Sequence, residues 1–157
     1  MASNAHVRHS GAGQAFWMLN GLYEVKASSE ETNGAMTVME MTVPVGSGPP
    51  PHTHSGTESV YVIEGTLRYH IAGETVEGGP GSFFHILEGT LERFEPTSTA
   101  RILVTYTPGG IEKFFAEAGE PAQRRELPPP SDTLPDVDRL IEIGKRHGLQ
   151  MQPMPDA

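Results

Sequence analysis

The sequence predicts an all-β domain, a small barrel or sandwich, followed by two helices. Three observations carry this. Residues 15–108 lack helical periodicity. Short runs rich in β-branched and aromatic residues recur there between Gly, Pro, Ser and Glu clusters. From Ile111 onward the apolar period changes to that of a helix.

Residues 1–14 are small and polar, and read as a mobile arm with His6 and His9 solvated. Residues 16–19 and 22–27 read as strands around an Asn20-Gly21 hairpin turn. Residues 35–43 alternate, with Thr37, Met39, Met41 and Val43 on one face. Residues 44–51 form a Pro/Gly loop, too poor in backbone donors for a central strand. Strands follow at 59–63, 66–71, 82–87 and 100–106, the last clear one. Residues 111–118 place Ile111, Phe114, Phe115 and Ala118 on one helical face, ended by Gly119 and Pro121. Residues 128–130 are three prolines, a stiff connector. Residues 136–147 form a second helix with an apolar stripe and a basic last turn, closed by Gly148. Both helices are expected on the outside of the barrel. The expected organisation is an arm at 1–14, a barrel at 15–108, a helical extension at 109–150 and a tail at 151–157, with no second domain.

A chain of 157 residues can bury a core without staples. Its net charge of −9 disfavours nucleic acid and anionic membrane as partners. With no Cys, disulfides, thiolate nucleophiles and Cys-based zinc sites are excluded. No leader-like apolar run opens the chain and no stretch approaches the ~20 apolar residues of a membrane span, so a cytoplasmic location is expected.

The chemistry concentrates around His52-Thr53-His54. On extended backbone the two imidazoles share a face, their Cα atoms roughly 6.5–7 Å apart, and can share one metal ion. Glu58 follows at an even offset through Ser55-Gly56-Thr57 and can add an anionic oxygen. Two His and one carboxylate make a facial triad suited to iron, manganese, nickel or zinc. Aromatic bulk at Trp17, Tyr61, Tyr69, Phe83, Phe94 and Tyr106 can line a cavity in a small barrel. His85 is read either as a substitute ligand or acid/base group, or as a histidine bonded within the sheet. His70 is expected at a rim. Few basic residues lie in the β-region, so a polyphosphate substrate is not expected.

Gly46, His52, Thr53, His54, Glu58 and Gly65 reproduce, without a gap, the spacing of the first cupin motif. Gly81 and Gly89 fit the second motif, in which Leu87 replaces the Pro, Glu92 the His and Pro96 the Asn. The chain thus resembles single-domain cupins of the quercetin-dioxygenase-like kind, over roughly residues 15–150. The resemblance implies a double-stranded β-helix with two C-terminal α-helices and one divalent metal (Fe, Mn, Ni or Zn) on His52, His54, Glu58 and Glu92. It also implies a small-molecule substrate and a homodimer. Glu92 is read as a fourth ligand, a general base beside the metal, or the mark of a retired site. Three functions follow: a dioxygenase on a phenolic or enol-type molecule; a non-redox isomerase, cyclase, lyase or dehydratase with Glu92 moving the proton; or a binding domain without turnover. Glu58 and Glu92 are the catalytic candidates.

Overall fold

The fold is that of a computed structural model, which describes residues 4–154. The outermost residues of the expected arm and tail lie outside the described residues. In chain order the elements are β1 (Ala15–Met18), β2 (Gly21–Ala27), β3 (Thr37–Val43), β4 (His52–His54), β5 (Thr57–Glu64), β6 (Leu67–Ile71) and β7 (Glu74–Gly78). They continue with β8 (Phe83–Ile86), β9 (Glu92–Pro96), β10 (Ala100–Thr107), α1 (Glu112–Ala118), β11 (Glu120–Pro121), α2 (Val137–Arg146) and β12 (Leu149–Met151).

The strands make two antiparallel sheets. One runs β11-β1-β2-β3-β10-β5-β8, the other β12-β4-β9-β6-β7. Alternation decides which residues enter the core. In β3, Thr37, Met39, Met41 and Val43 are buried, as their spacing predicts. In β10, Ile102 and Val104 lie beside Val62 and Val60 of β5 and beside Met41 and Met39 of β3, in one sheet and on its core face. Gly65 joins β5 to β6 at φ +77°, and a Cβ there would come within 2.2 Å of the Thr99 carbonyl oxygen. Both backbone conformation and space therefore demand glycine at this motif position.

Several elements differ from expectation. The β1–β2 turn is Leu19-Asn20, not Asn20-Gly21, because Met18 pairs with Gly21. β7 was hidden by its exposure on nearly every residue, which leaves no alternation. β9 reads as polar, yet Glu92, Phe94 and Pro96 face inward while Arg93 and Glu95 face out. β12 continues past Gly148 and pairs with β4. His6 is not free: its Nε2 lies 2.8 Å from the Lys26 carbonyl and its Nδ1 3.0 Å from Glu31.

The helices lie outside the sheets, as expected, but they also complete the core. Phe114 and Phe115 of α1 and Leu140 and Ile143 of α2 are buried in the same cluster as the barrel strands. Asp136 caps α2 by accepting from the Arg139 N–H at 3.0 Å. Glu112 anchors α1 to the barrel: it is buried and accepts from the Ser29 N–H, the Ser29 hydroxyl and the Thr37 hydroxyl. No helix among the described residues is long and apolar enough to cross a membrane.

Candidate metal centre

Four side chains from three strands converge inside the barrel. β4 supplies His52 and His54, β5 supplies Glu58 and β9 supplies Glu92; their ligand atoms all lie within 4.8 Å of one another. β4 is held on both edges: it pairs with β12 on one side, and His52 sits opposite Glu92 on the other. The Ser55 N–H donates to the Gly148 carbonyl, and the Gly89 N–H donates to the His54 carbonyl. The link to Glu58 is not slack either, since a Cβ on Gly56 would come within 2.4 Å of the Thr107 carbonyl oxygen.

The geometry suits a cation. His52 Nδ1 lies 2.8 Å from the Pro50 carbonyl, which accepts only, so this nitrogen carries the proton and Nε2 offers its lone pair. His52 Nε2 and His54 Nε2 face each other at 3.0 Å. His54 Nε2 lies 2.7 Å from Glu58 and 3.7 Å from Glu92, and His52 Nε2 lies 3.3 Å from Glu92. Glu58 Oε2 and both oxygens of Glu92 are buried and accept no well-directed hydrogen bond, the ring nitrogens of His52 and His54 being their near neighbours. Buried carboxylate oxygens left this way are costly. A divalent ion placed among them would satisfy all three, and with two carboxylates the set would be formally neutral.

Without a metal, protons take over part of that role. Burial pushes the His54 pKa down, but its close contacts with Glu58 and Glu92 outweigh this and raise it to about 9. Burial raises the Glu58 pKa, and the Glu92 charge raises it further. Burial also acts to raise Glu92, but the neighbouring His52 and His54 hold it down at about 2. Two carboxylates crowded together are thus pushed apart in acidity.

The ligands open onto a cavity with about 40 Å³ of room for the centre of a water-sized sphere. That is space for an ion and a few small groups. His52, His54 and Glu58 line it, and Glu92 is buried beside them without lining it. Of the expected pocket residues, Phe94 and Tyr106 line the cavity. Tyr69 is fully buried and directs its hydroxyl toward Glu58 Oε1 at 3.4 Å.

The other four expected pocket residues lie elsewhere. Tyr61 and Phe83 are cross-strand partners on the outer face and are exposed. His85 shares the outer face of β8 with Phe83 and contacts the Ser59 hydroxyl at 2.9 Å, so it cannot be a ligand. The two-residue period of β8 turns Phe84 and Ile86 inward instead. Trp17 is buried on the far side of β1, where its indole N–H donates to the Glu126 carbonyl at 2.9 Å. His70 is at the rim, 3.1 Å from Glu95. Much of the cavity wall comes from helix residues that the sequence assigns to exterior packing, among them Phe114, Phe115 and Leu140, and from Leu149 of β12. Their helical stripe was visible; its direction toward the metal site was not.

Residues 39–113 match the family model described as a cupin domain. The match and the solved structures below show that the chain has the cupin fold. It is 26% identical over 139 residues to Quercetin 2,3-dioxygenase of Bacillus subtilis (strain 168), covering 87% of this chain and 41% of that protein. The chain therefore spans less than half the length of the curated relative. Among solved structures it is similar to an RmlC-like cupin from Shewanella frigidimarina (TM-score 0.61, 13% identity, 72% of this chain and 99% of that one). It is also similar to the polyketide cyclase RemF from Streptomyces resistomycificus (TM-score 0.55, 20% identity, 88% and 92%). At these identities the two structures establish the fold alone.

Proposed function

We propose that the protein is a metal-dependent enzyme of the dioxygenase type, acting on a small phenolic or enol-type molecule. The observation that carries this is the meeting of His52, His54, Glu58 and Glu92 beside a small apolar cavity, with three buried carboxylate oxygens that accept no well-directed hydrogen bond. The sequence likeness to a quercetin dioxygenase supports the oxidative direction. When bound, the metal supplies Lewis acidity and, if redox-active, one-electron chemistry with dioxygen.

The chain's own residues divide the remaining work. Glu92, buried against His52 and His54 and absent from the cavity wall, serves as a ligand and an anionic counter-charge. Glu58 faces the cavity and is the carboxylate placed to take the proton of an enol or phenol. The Tyr69 hydroxyl beside Glu58 orients it. Apolar walls from Phe94, Tyr106 and the two helices exclude water.

A second reading is a non-redox isomerase, cyclase, lyase or dehydratase on the same residues. It is favoured by the two-His, two-Glu set, whose neutral, oxygen-rich character suits a hard Lewis acid. Oxygen uptake during substrate consumption decides between them. Stoichiometric uptake with an iron, manganese or nickel centre supports the dioxygenase; turnover without uptake supports the non-redox reading.

A further inference from the structure

Two hollows outside the metal cavity flank the β1–β2 hairpin, with about 410 and 350 Å³ of room by the same measure. Both are lined by Trp17, Met18, Leu19, Glu120 and Pro135, so they form one groove along the hairpin. Met18 and Leu19 also line the metal cavity. Leu140 is shared between the smaller hollow and the metal cavity as well, whereas Met18 and Leu19 alone are shared between the larger hollow and that cavity and so separate it from the metal ligands.

Leu19 is held there under strain. It adopts φ +50° and Asn20 φ +64°, a left-handed pair that suits Asn and Gly far better than a branched leucine. The sequence offers Asn-Gly one residue later, but Gly21 is the first residue of β2, paired with Met18 and tightly packed. A Cβ at Gly21 would meet the Tyr23 ring and the Thr42 carbonyl at 3.0–3.2 Å. The hairpin thus puts a bulky residue in the turn and its side chain against the cavity. A strained residue at a site boundary is a candidate for function rather than packing alone.

The groove also has a chemical character. Asn20, Ser47, Ser131 and Thr133 bring hydrogen-bonding groups to the larger hollow, and Glu120 brings a carboxylate. No Lys or Arg lines that hollow. An uncharged, hydroxylated group finds partners in this larger hollow, where an anionic one meets the Glu120 carboxylate and no lining cation; Arg139 lines the smaller hollow only.

We propose that Leu19 is the specificity-determining residue at the passage into the metal cavity, and that the larger hollow of the groove holds an uncharged, hydroxyl-bearing part of the substrate. This rests on the metal-enzyme reading above. The rival passage is a smaller hollow of about 90 Å³, which meets the cavity at His54, Tyr106 and Ile111.

The test uses the full chain loaded with Co²⁺, with 4-nitrocatechol as a coloured chelating probe of access. In Leu19→Ala the association rate rises about tenfold, equivalent to about 1.4 kcal/mol of barrier, while cobalt stoichiometry and affinity stay at wild-type values. Ile111→Ala remains near wild type. An unchanged rate in Leu19→Ala, or a larger rise in Ile111→Ala, overturns the assignment of the passage. Emission from Trp17, the single tryptophan, reads the groove separately and needs no metal. Titration with phenyl glucoside is expected to give a dissociation constant about tenfold or more below that of phenyl phosphate. Equal affinities, or tighter phosphate binding, overturn the charge argument. A chain that takes up no cobalt refutes the metal reading itself, and the Trp17 titration still decides the groove.

Discussion

Raising the pH should tighten metal binding steeply, and the slope follows from His54. In the metal-free protein its pKa is raised to about 9 by the contacts with Glu58 and Glu92, which outweigh burial. At pH 7 only about one molecule in a hundred then has His54 deprotonated. A metal must displace that proton to reach Nε2. Between pH 6.5 and 8.5 the association constant should rise about tenfold per pH unit, or about 1.4 kcal/mol. The assay is competition of Zn²⁺ or Co²⁺ against a chelator of known pH dependence. Calorimetry in buffers of different ionisation enthalpy should find about one proton released per metal bound at pH 7.5. An affinity flat over this range, with no proton released, would refute the account of His54 as a protonated placeholder.

The same group sets a pH dependence of stability. Because its folded pKa lies above the unfolded value, His54 stabilises the metal-free protein fully below about pH 6.5, and this contribution is lost as pH rises through about 9. Melting temperature without metal should fall across that window, and saturating metal should remove the fall. Glu92→Gln removes a ligand charge and should weaken metal binding by at least about 10- to 100-fold, the scale already reached by changes to groups that only support a ligand; chelator competition measures this. Glu112→Ala should destabilise the fold by about 1–3 kcal/mol in urea, since the buried donors of Ser29 and Thr37 lose their acceptor, with metal affinity unchanged. Gly65→Ala should cost more than about 2 kcal/mol, because it combines a left-handed φ with a clash on Thr99; soluble yield and melting temperature report it.

The first half of the site was legible because its geometry is local. His-x-His on a strand and a carboxylate at an even offset need only the two-residue period, and β4 and β5 deliver it. Glu92 was reached through the resemblance alone: its strand carries Arg93, Glu95 and Pro96, and only the pairing of His52 with Glu92 shows why an inward position holds a carboxylate. The pocket residues divide by the same rule. Phe94 and Tyr106 alternate with outward polar partners, whereas Tyr61, Phe83 and His85 lie on the outer face beside edge strand β8, where neither face was clearly polar in sequence. The roof of the cavity was illegible, because the direction in which a helix presents its stripe depends on the tertiary return of β12 to β4. The turn at Leu19 departs from its local signal: Met18 pairs with Gly21, so the glycine of the Asn-Gly pair lies in the strand, close to the Tyr23 ring and the Thr42 carbonyl.

The central claim is that His52, His54, Glu58 and Glu92 hold one metal ion. Elemental analysis of the purified protein beside the His52→Ala/His54→Ala double variant tests it most directly. The account predicts close to one divalent metal per chain in the wild type and none in the variant. No metal in either protein, even after reconstitution, or equal metal in both, would contradict it.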